Sequence, residues 1–171
     1  MSTLRVDNLR GQTADGTNRY VVQVIYVETD ARQSATATSY TDLTGMTATI
    51  TPTNVNNKIL VQVCLNMGMQ NAAMNLSCRL LRGSTNIFGG TDTTMKQGFV
   101  QTECGITGYQ YEIKNFTATT LDAPATTSAT TYKIQGLVNT AAGTWYMNRN
   151  HHNAVDQGTT KSSITLTEIA Q

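Results

Sequence analysis

The chain has 171 residues and a mass of 18.5 kDa, enough for one domain with its own core and little room for a second. Charged residues make up 13%, against a usual share of about 25%. The 12 Lys plus Arg and 11 Asp plus Glu leave a formal charge of +1. That balance excludes a basic nucleic-acid binder and a surface built for anionic lipid, and no apolar run approaches the ~18 residues of a transmembrane helix. Threonine takes the place of charge, with 31 residues, joined by 14 asparagines. Its β-branched side chain favours pleated strands and argues against a helical bundle.

Residues 1–19 read as a separate polar arm. Leu4, Val6 and Leu9 are its only large apolar groups, and Gly11 and Gly16 punctuate it. The charges within Met1–Asp7 interrupt the apolar stretch that a signal peptide needs, so synthesis in a cytoplasm without such a signal is expected. An arm this polar cannot build a core, and it is expected to be extended and to dock on a partner, the alternative being a strand that completes the protein's own sheet or swaps between copies. From Arg19 to Glu28 a β-rich run follows, with apolar residues on both faces (Val21, Val22, Val24, Ile25, Tyr26, Val27). It predicts a strand buried on both sides, or one facing another subunit.

Met46, Ala48 and Ile50 alternate with threonines in a half-buried strand that ends at Pro52, and 54–58 reads as a polar turn. The cleanest period of two is Ile59, Val61, Val63, Leu65 and Met67, continued by Leu76, Cys78 and Leu80. Arg82-Gly83-Ser84-Thr85 predicts a hairpin turn into Ile87 and Phe88. After a Gly/Thr-rich loop from Gly89 to about Gly98, Tyr109, Tyr111 and Ile113 alternate as a further strand. Asp122-Ala-Pro124 is a break. Strands are expected around Tyr132–Val138, at Trp145–Met147 and over Ser162–Ile169. Eight or nine short strands with no helical stripe predict an all-β sandwich: an arm over 1–19 and a β-domain over 20–171.

Catalytic chemistry is not legible. No carboxylate pair, nucleophile elbow, phosphate loop or dinucleotide fingerprint is present, so neither an enzyme nor a bound cofactor or metal is expected. Cys64, Cys78 and Cys104 lack CxxC spacing, and Cys64 and Cys78 lie in alternating apolar stretches that suit core thiols. His151-His152, with Asp156 four residues on, is the one cluster that suggests metal or proton chemistry. Adjacent strand residues point to opposite faces, so loop decoration is the plainer reading. Trp145 with His151 and His152 are candidate ligand contacts, core packing being the ordinary use of Trp145. Tyr109 and Tyr111 share a face suited to a subunit interface, to which Ile164 and Leu166 are also assigned.

Several stretches together resemble a family of phage virion proteins of marine and cyanobacterial type. They are Ser2-Thr-Leu-Arg-Val-Asp-Asn-Leu9, then Ile50-Thr-Pro-Thr53 through Asn57-Lys-Ile-Leu-Val61, and Arg79-Leu-Leu-Arg-Gly-Ser84. Leu121-Asp-Ala-Pro-Ala-Thr-Thr-Ser-Ala-Thr-Thr-Tyr132, Asn148-Arg149 and Ser163-Ile-Thr-Leu-Thr-Glu-Ile169 complete the order. The resemblance implies an antiparallel jelly-roll sandwich like that of tumour necrosis factor and complement C1q (TNF/C1q-like), assembled as a homotrimer. It further implies a structural place on the virion, made in a bacterial host. The role would be capsid decoration, head fibre or short tail-fibre component, with other capsid or tail proteins as partners. The arm, with Leu4, Arg5, Val6 and Leu9, would anchor it. A receptor-binding module for a host-surface glycan is the alternative. The chain departs from the pattern in having no coiled-coil or Gly-x-y shaft, and in the insertion Asn150-His-His-Asn153.

Overall fold

The computed structural model describes residues 11–12, 18–70, 75–89, 98–103, 111–152 and 158–171, and the regular elements among them are all β-strands. They are β1 (Gly11–Gln12), β2 (Asn18–Arg19), β3 (Val21–Thr29), β4 (Ser34–Ala35), β5 (Thr41–Ile50) and β6 (Lys58–Gln70). Then come β7 (Asn75–Arg82), β8 (Thr85–Phe88), β9 (Val100–Glu103), β10 (Lys114–Asp122), β11 (Thr130–Val138), β12 (Thr144–Met147) and β13 (Ser162–Ile169). Apart from the small β1–β2 ladder, they form two antiparallel sheets. One sheet runs β3-β13-β6-β12-β4 with β10 also on β6; the other runs β5-β11-β7-β8 with β9 also on β7.

Register places these strands in columns. Cys64 of β6 faces Thr117 of β10 on one edge and Ser163 of β13 on the other, and Met67 faces Lys114 and Met147 in the same way. Strands β12 and β13 therefore lie end to end along one edge of β6, while β10 covers the other. In the second sheet β8 and β9 share one edge of β7 in the same manner. The result is an antiparallel jelly-roll-type sandwich, in agreement with the fold class expected from the strand pattern.

The period of two explains the core. In β6, Ile59, Val61, Val63, Leu65 and Met67 all point between the sheets and are at most 3% exposed. They meet Met46, Ala48 and Ile50 of β5, Leu76, Cys78 and Leu80 of β7, and Tyr132 and Ile134 of β11 in one cluster. Each such aliphatic side chain stabilises the fold by roughly 1.5–3 kcal/mol relative to exposure. The sheets come into close contact where Gly45 meets Thr29: a Cβ at Gly45 would lie 2.5 Å from Thr29 Oγ1, and φ there is +77°. Only glycine satisfies both demands.

Two expectations are corrected. The strand placed at Tyr109–Ile113 begins instead at Lys114: Tyr111 and Ile113 precede β10, and Tyr109 lies outside the described residues. The threonine-rich segment that forms β10 shows only Phe116 and Ala118 as apolar inward positions, too few to stand out as a strand. Cys64 is not a core thiol. It shares its face with Leu60, Gln62 and Asn66, half-exposed, whereas Cys78 is fully buried and its thiol is pushed well up by that burial. The hairpin expected at Arg82–Thr85 is present, with Gly83 at a φ of 57°.

Candidate interaction surface

Residues paired across neighbouring strands point to the same side, so register alone lays out the outward face of the six-stranded sheet. One row runs Val24, Thr167, Leu60, Leu121; the next runs Tyr26, Thr165, Gln62, Thr119; the third runs Glu28, Ser163, Cys64, Thr117. The first two rows hold no charged residue. Val24 is 54% exposed, Tyr26 59% and Leu121 54%, and Val21 at the same end is 58% exposed. Gln62, Cys64, Thr117, Thr119, Ser163 and Thr165 line a shallow depression of about 260 Å³ in the middle. Among the described residues charge enters at the margins, as Lys58 at one end and the Lys161–Glu28 ion pair and Arg149 towards the other. The Lys161 bond, and a second from Tyr26 Oη at 3.1 Å, hold the Glu28 carboxyl below the usual carboxylate range.

The outward face of the second sheet is built differently. Gln135 donates to Asp42 and accepts from Arg79 Nε at 2.9 Å and Nη2 at 2.6 Å, and Lys133 Nζ donates to Asp42 at 2.9 Å. The hydrogen bond from Gln135, reinforced by the one from Lys133, keeps the Asp42 carboxyl below its ordinary value. Tyr40 lies across Arg79 with its ring centroid 3.9 Å from the guanidinium carbon. These polar groups satisfy one another within a single chain.

A buried carboxylate pins the end of the first sheet. Glu168 is fully buried and accepts from Gln23 Nε2 at 2.6 Å, Asn57 Nδ2 at 2.6 Å, Thr53 N at 2.7 Å and Thr53 Oγ1 at 2.8 Å. Burial alone raises a carboxyl pKa, but here the four hydrogen bonds outweigh it and hold the group below its ordinary value. Between the two sheets, Asp122 of β10 accepts at both oxygens from Arg82 Nη1 at 2.8 Å and from Tyr132 Oη at 2.7 Å. Burial, and then the bond to Asp122, push the Tyr132 phenol well up.

The site residues expected from the sequence fall into three groups. Leu4, Arg5, Val6, Leu9, Tyr109 and Asp156 lie outside the described residues. Ile164 and Leu166 are 0% exposed in the core of the single chain. Their assignment to a subunit interface is therefore corrected: the alternation of β13 turns Thr165 and Thr167 outward in their place. Trp145 is likewise 0% exposed and is no ligand contact; its Nε1 has no hydrogen-bond partner among the described residues. Tyr111, His151 and His152 do come together, at the far end of the six-stranded sheet. His152 stacks on Tyr111 with ring centroids 4.3 Å apart, and His151 Nδ1 lies 2.9 Å from Tyr146 Oη. No group of three or more metal-capable side chains occurs among the described residues.

No family model matches the chain, and no curated protein matches it. Solved structures do. The structure of the Gx strain of infectious bursal disease virus matches with a TM-score of 0.42 and 10% identity, over 86% of this chain and 39% of that one. The VP2 subviral particle of infectious bursal disease virus matches with a TM-score of 0.41 and 10% identity, over 86% and 40%. The chain spans about two fifths of the length of these neighbours.

Proposed function

We propose that this chain is a structural subunit of a phage virion: a β-sandwich that joins two further copies of itself and is held on the particle by its N-terminal arm. The observation that carries the reading is the outward face of the six-stranded sheet. Interface centres are depleted of charge and enriched in aromatic and aliphatic groups, and the rows through Val24 and Tyr26 have that composition in an exposed position. Four strands at ~4.8 Å spacing and about nine residues at ~3.3 Å give a patch of roughly 19 by 30 Å. That is the same order as the ~800 Å² one partner contributes to a standard interface. With no strong charge of either sign, the face can meet the surface of a neighbouring copy without repulsion, the head-to-tail contact that a three-fold ring requires. The number three, the virion setting and the anchoring arm come from the sequence resemblance. Capsid decoration suits a chain with no shaft between arm and β-domain better than a long fibre does.

Two experiments test the parts separately. Light scattering at micromolar concentration is expected to give three times the 18.5 kDa chain mass, and a persistent monomer contradicts self-assembly. Deleting residues 1–18 is expected to leave a folded trimer that no longer joins particles. A truncated chain that unfolds, or one that still decorates virions, contradicts the anchoring role.

A further inference from the structure

At the far end of the same face, the segment that follows β12 turns back over the sheet. Asn148 starts the turn in a left-handed conformation, φ 59°, which asparagine tolerates better than most residues. Its buried amide donates to the carbonyls of Thr29 and Ala31 at 3.0 Å each and accepts from Ser162 Oγ at 2.7 Å. Beyond this fixed base the chain presses onto Gly68, where an added Cβ would lie 2.4 Å from Arg149 O and 2.9 Å from Asn150 Cα. Arg149 covers the Tyr146 ring at 4.2 Å, and Tyr146 Oη bonds both Gln70 Oε1 at 2.8 Å and His151 Nδ1 at 2.9 Å. His152 stacks on Tyr111 and meets His151 edge-on at 5.5 Å, while Asn150 Nδ2 donates to Tyr111 O at 3.2 Å.

Three of the four residues 149–152 can therefore carry positive charge, and they sit against one another and against neutral rings. Among the described residues, the groups facing His151 are Tyr146 from β12, with Gln70 of β6 behind it, and Arg149 and His152 from its own segment. Tyr111 faces His152, and the next residue, Glu112, is exposed. We propose that residues 149–152 form an acid-releasable strap, hinged on Asn148, which covers the Gly68–Tyr146 end of the outward face at neutral pH and lifts off it when His151 takes up a proton. Burial first, then the charges of His152 and Arg149, hold the pKa of His151 below the ordinary histidine value of 6.5. A released strap thus binds protons more readily than a docked one, so falling pH favours release, and the docked form is lost as pH drops through the docked value. The strap stands on these contacts alone and not on the virion reading.

Amide hydrogen exchange on the full chain at pH 7.5 and 5.0, corrected for intrinsic rates, tests it. Protection at residues 149–152 is expected to fall severalfold in acid while the β7 and β11 amides keep theirs. His151→Asn, which keeps a neutral hydrogen-bonding group, is expected to abolish most of that fall. Equal protection at both pH values, or the same acid loss in the double variant His151→Asn, His152→Asn, overturns the proposal. Should His151→Asn be unprotected already at pH 7.5, the wild-type imidazole titration followed by NMR decides. Release coinciding with a histidine midpoint below 6.5 supports the strap, and release in the carboxylate range overturns it.

Discussion

The two outward faces of the sandwich come from the same strand pairing and nearly the same threonine-rich composition, yet they present different surfaces. On the five-stranded sheet, Asp42, Gln135, Lys133 and Arg79 close a polar network, and Tyr40 covers part of it. On the six-stranded sheet, the rows through Val24 and Tyr26 hold threonine, leucine and glutamine with charge only at the ends. A face whose polar groups are paired within the chain is finished in a monomer. One that leaves Val21, Val24, Tyr26 and Leu121 more than half exposed gains by being covered. On the proposed reading, the difference separates a solvent face from an assembly face where hydrophobicity totals would not.

The largest effect on assembly is expected from charge placed in the middle of the proposed assembly face. Leu60→Asp leaves the single chain folded, because the position faces outward, but sets one unpaired carboxylate per copy in a desolvated contact. A penalty of roughly 3 kcal/mol weakens association about 100-fold, visible as monomer by sedimentation at micromolar concentration. Next comes the core beneath the same strands. Leu166→Ala is expected to lower the unfolding free energy by about 2–5 kcal/mol in denaturant titration, an effect on the fold and not on assembly alone. Glu168→Gln follows, at about 1.5–3 kcal/mol, because an amide nitrogen would face the donors now directed at the carboxylate. Its wild-type contribution is fully present above the ordinary carboxyl pKa and is lost as pH falls through the lowered folded value. The acid limb of the melting curve should therefore flatten in Glu168→Gln. The smallest change is expected on the solvent face. Lys133→Ala removes a surface ion pair worth about 0–1 kcal/mol and should leave the oligomeric mass unchanged.

The sandwich was legible because burial on one face forces a period of two, and β6 carries it over five consecutive inward positions. The two-sided apolar pattern of Val21–Val27 is not burial on both sides within the chain: Val24 and Tyr26 stand on an exposed side, which leaves the reading of a strand that faces another subunit. Strand β10 was not legible, since threonines at 117, 119 and 120 suit a half-wet strand and a loop equally well. Assigning Ile164 and Leu166 to an interface failed for a related reason: alternation separates two faces without saying which one meets the chain's own core. Glu168 left no local signal at all, because its partners Gln23, Thr53 and Asn57 are 145, 115 and 111 residues away along the chain. The strap was seen only as an unusual His-His pair, because its contacts with Tyr146 and Gly68 depend on a backbone reversal at Asn148.

One pair of matched substitutions bears most directly on the difference between the faces. Thr165→Asp puts a charge at the middle of the six-stranded face, and Thr47→Asp puts the same charge on the outward side of β5, the edge strand of the five-stranded face. The oligomeric mass of both variants, measured by light scattering at one concentration, is expected to be that of a single chain for Thr165→Asp and three chains for Thr47→Asp. Three chains for Thr165→Asp, or a single chain for Thr47→Asp alone, would contradict the assignment of the six-stranded sheet as the assembly face.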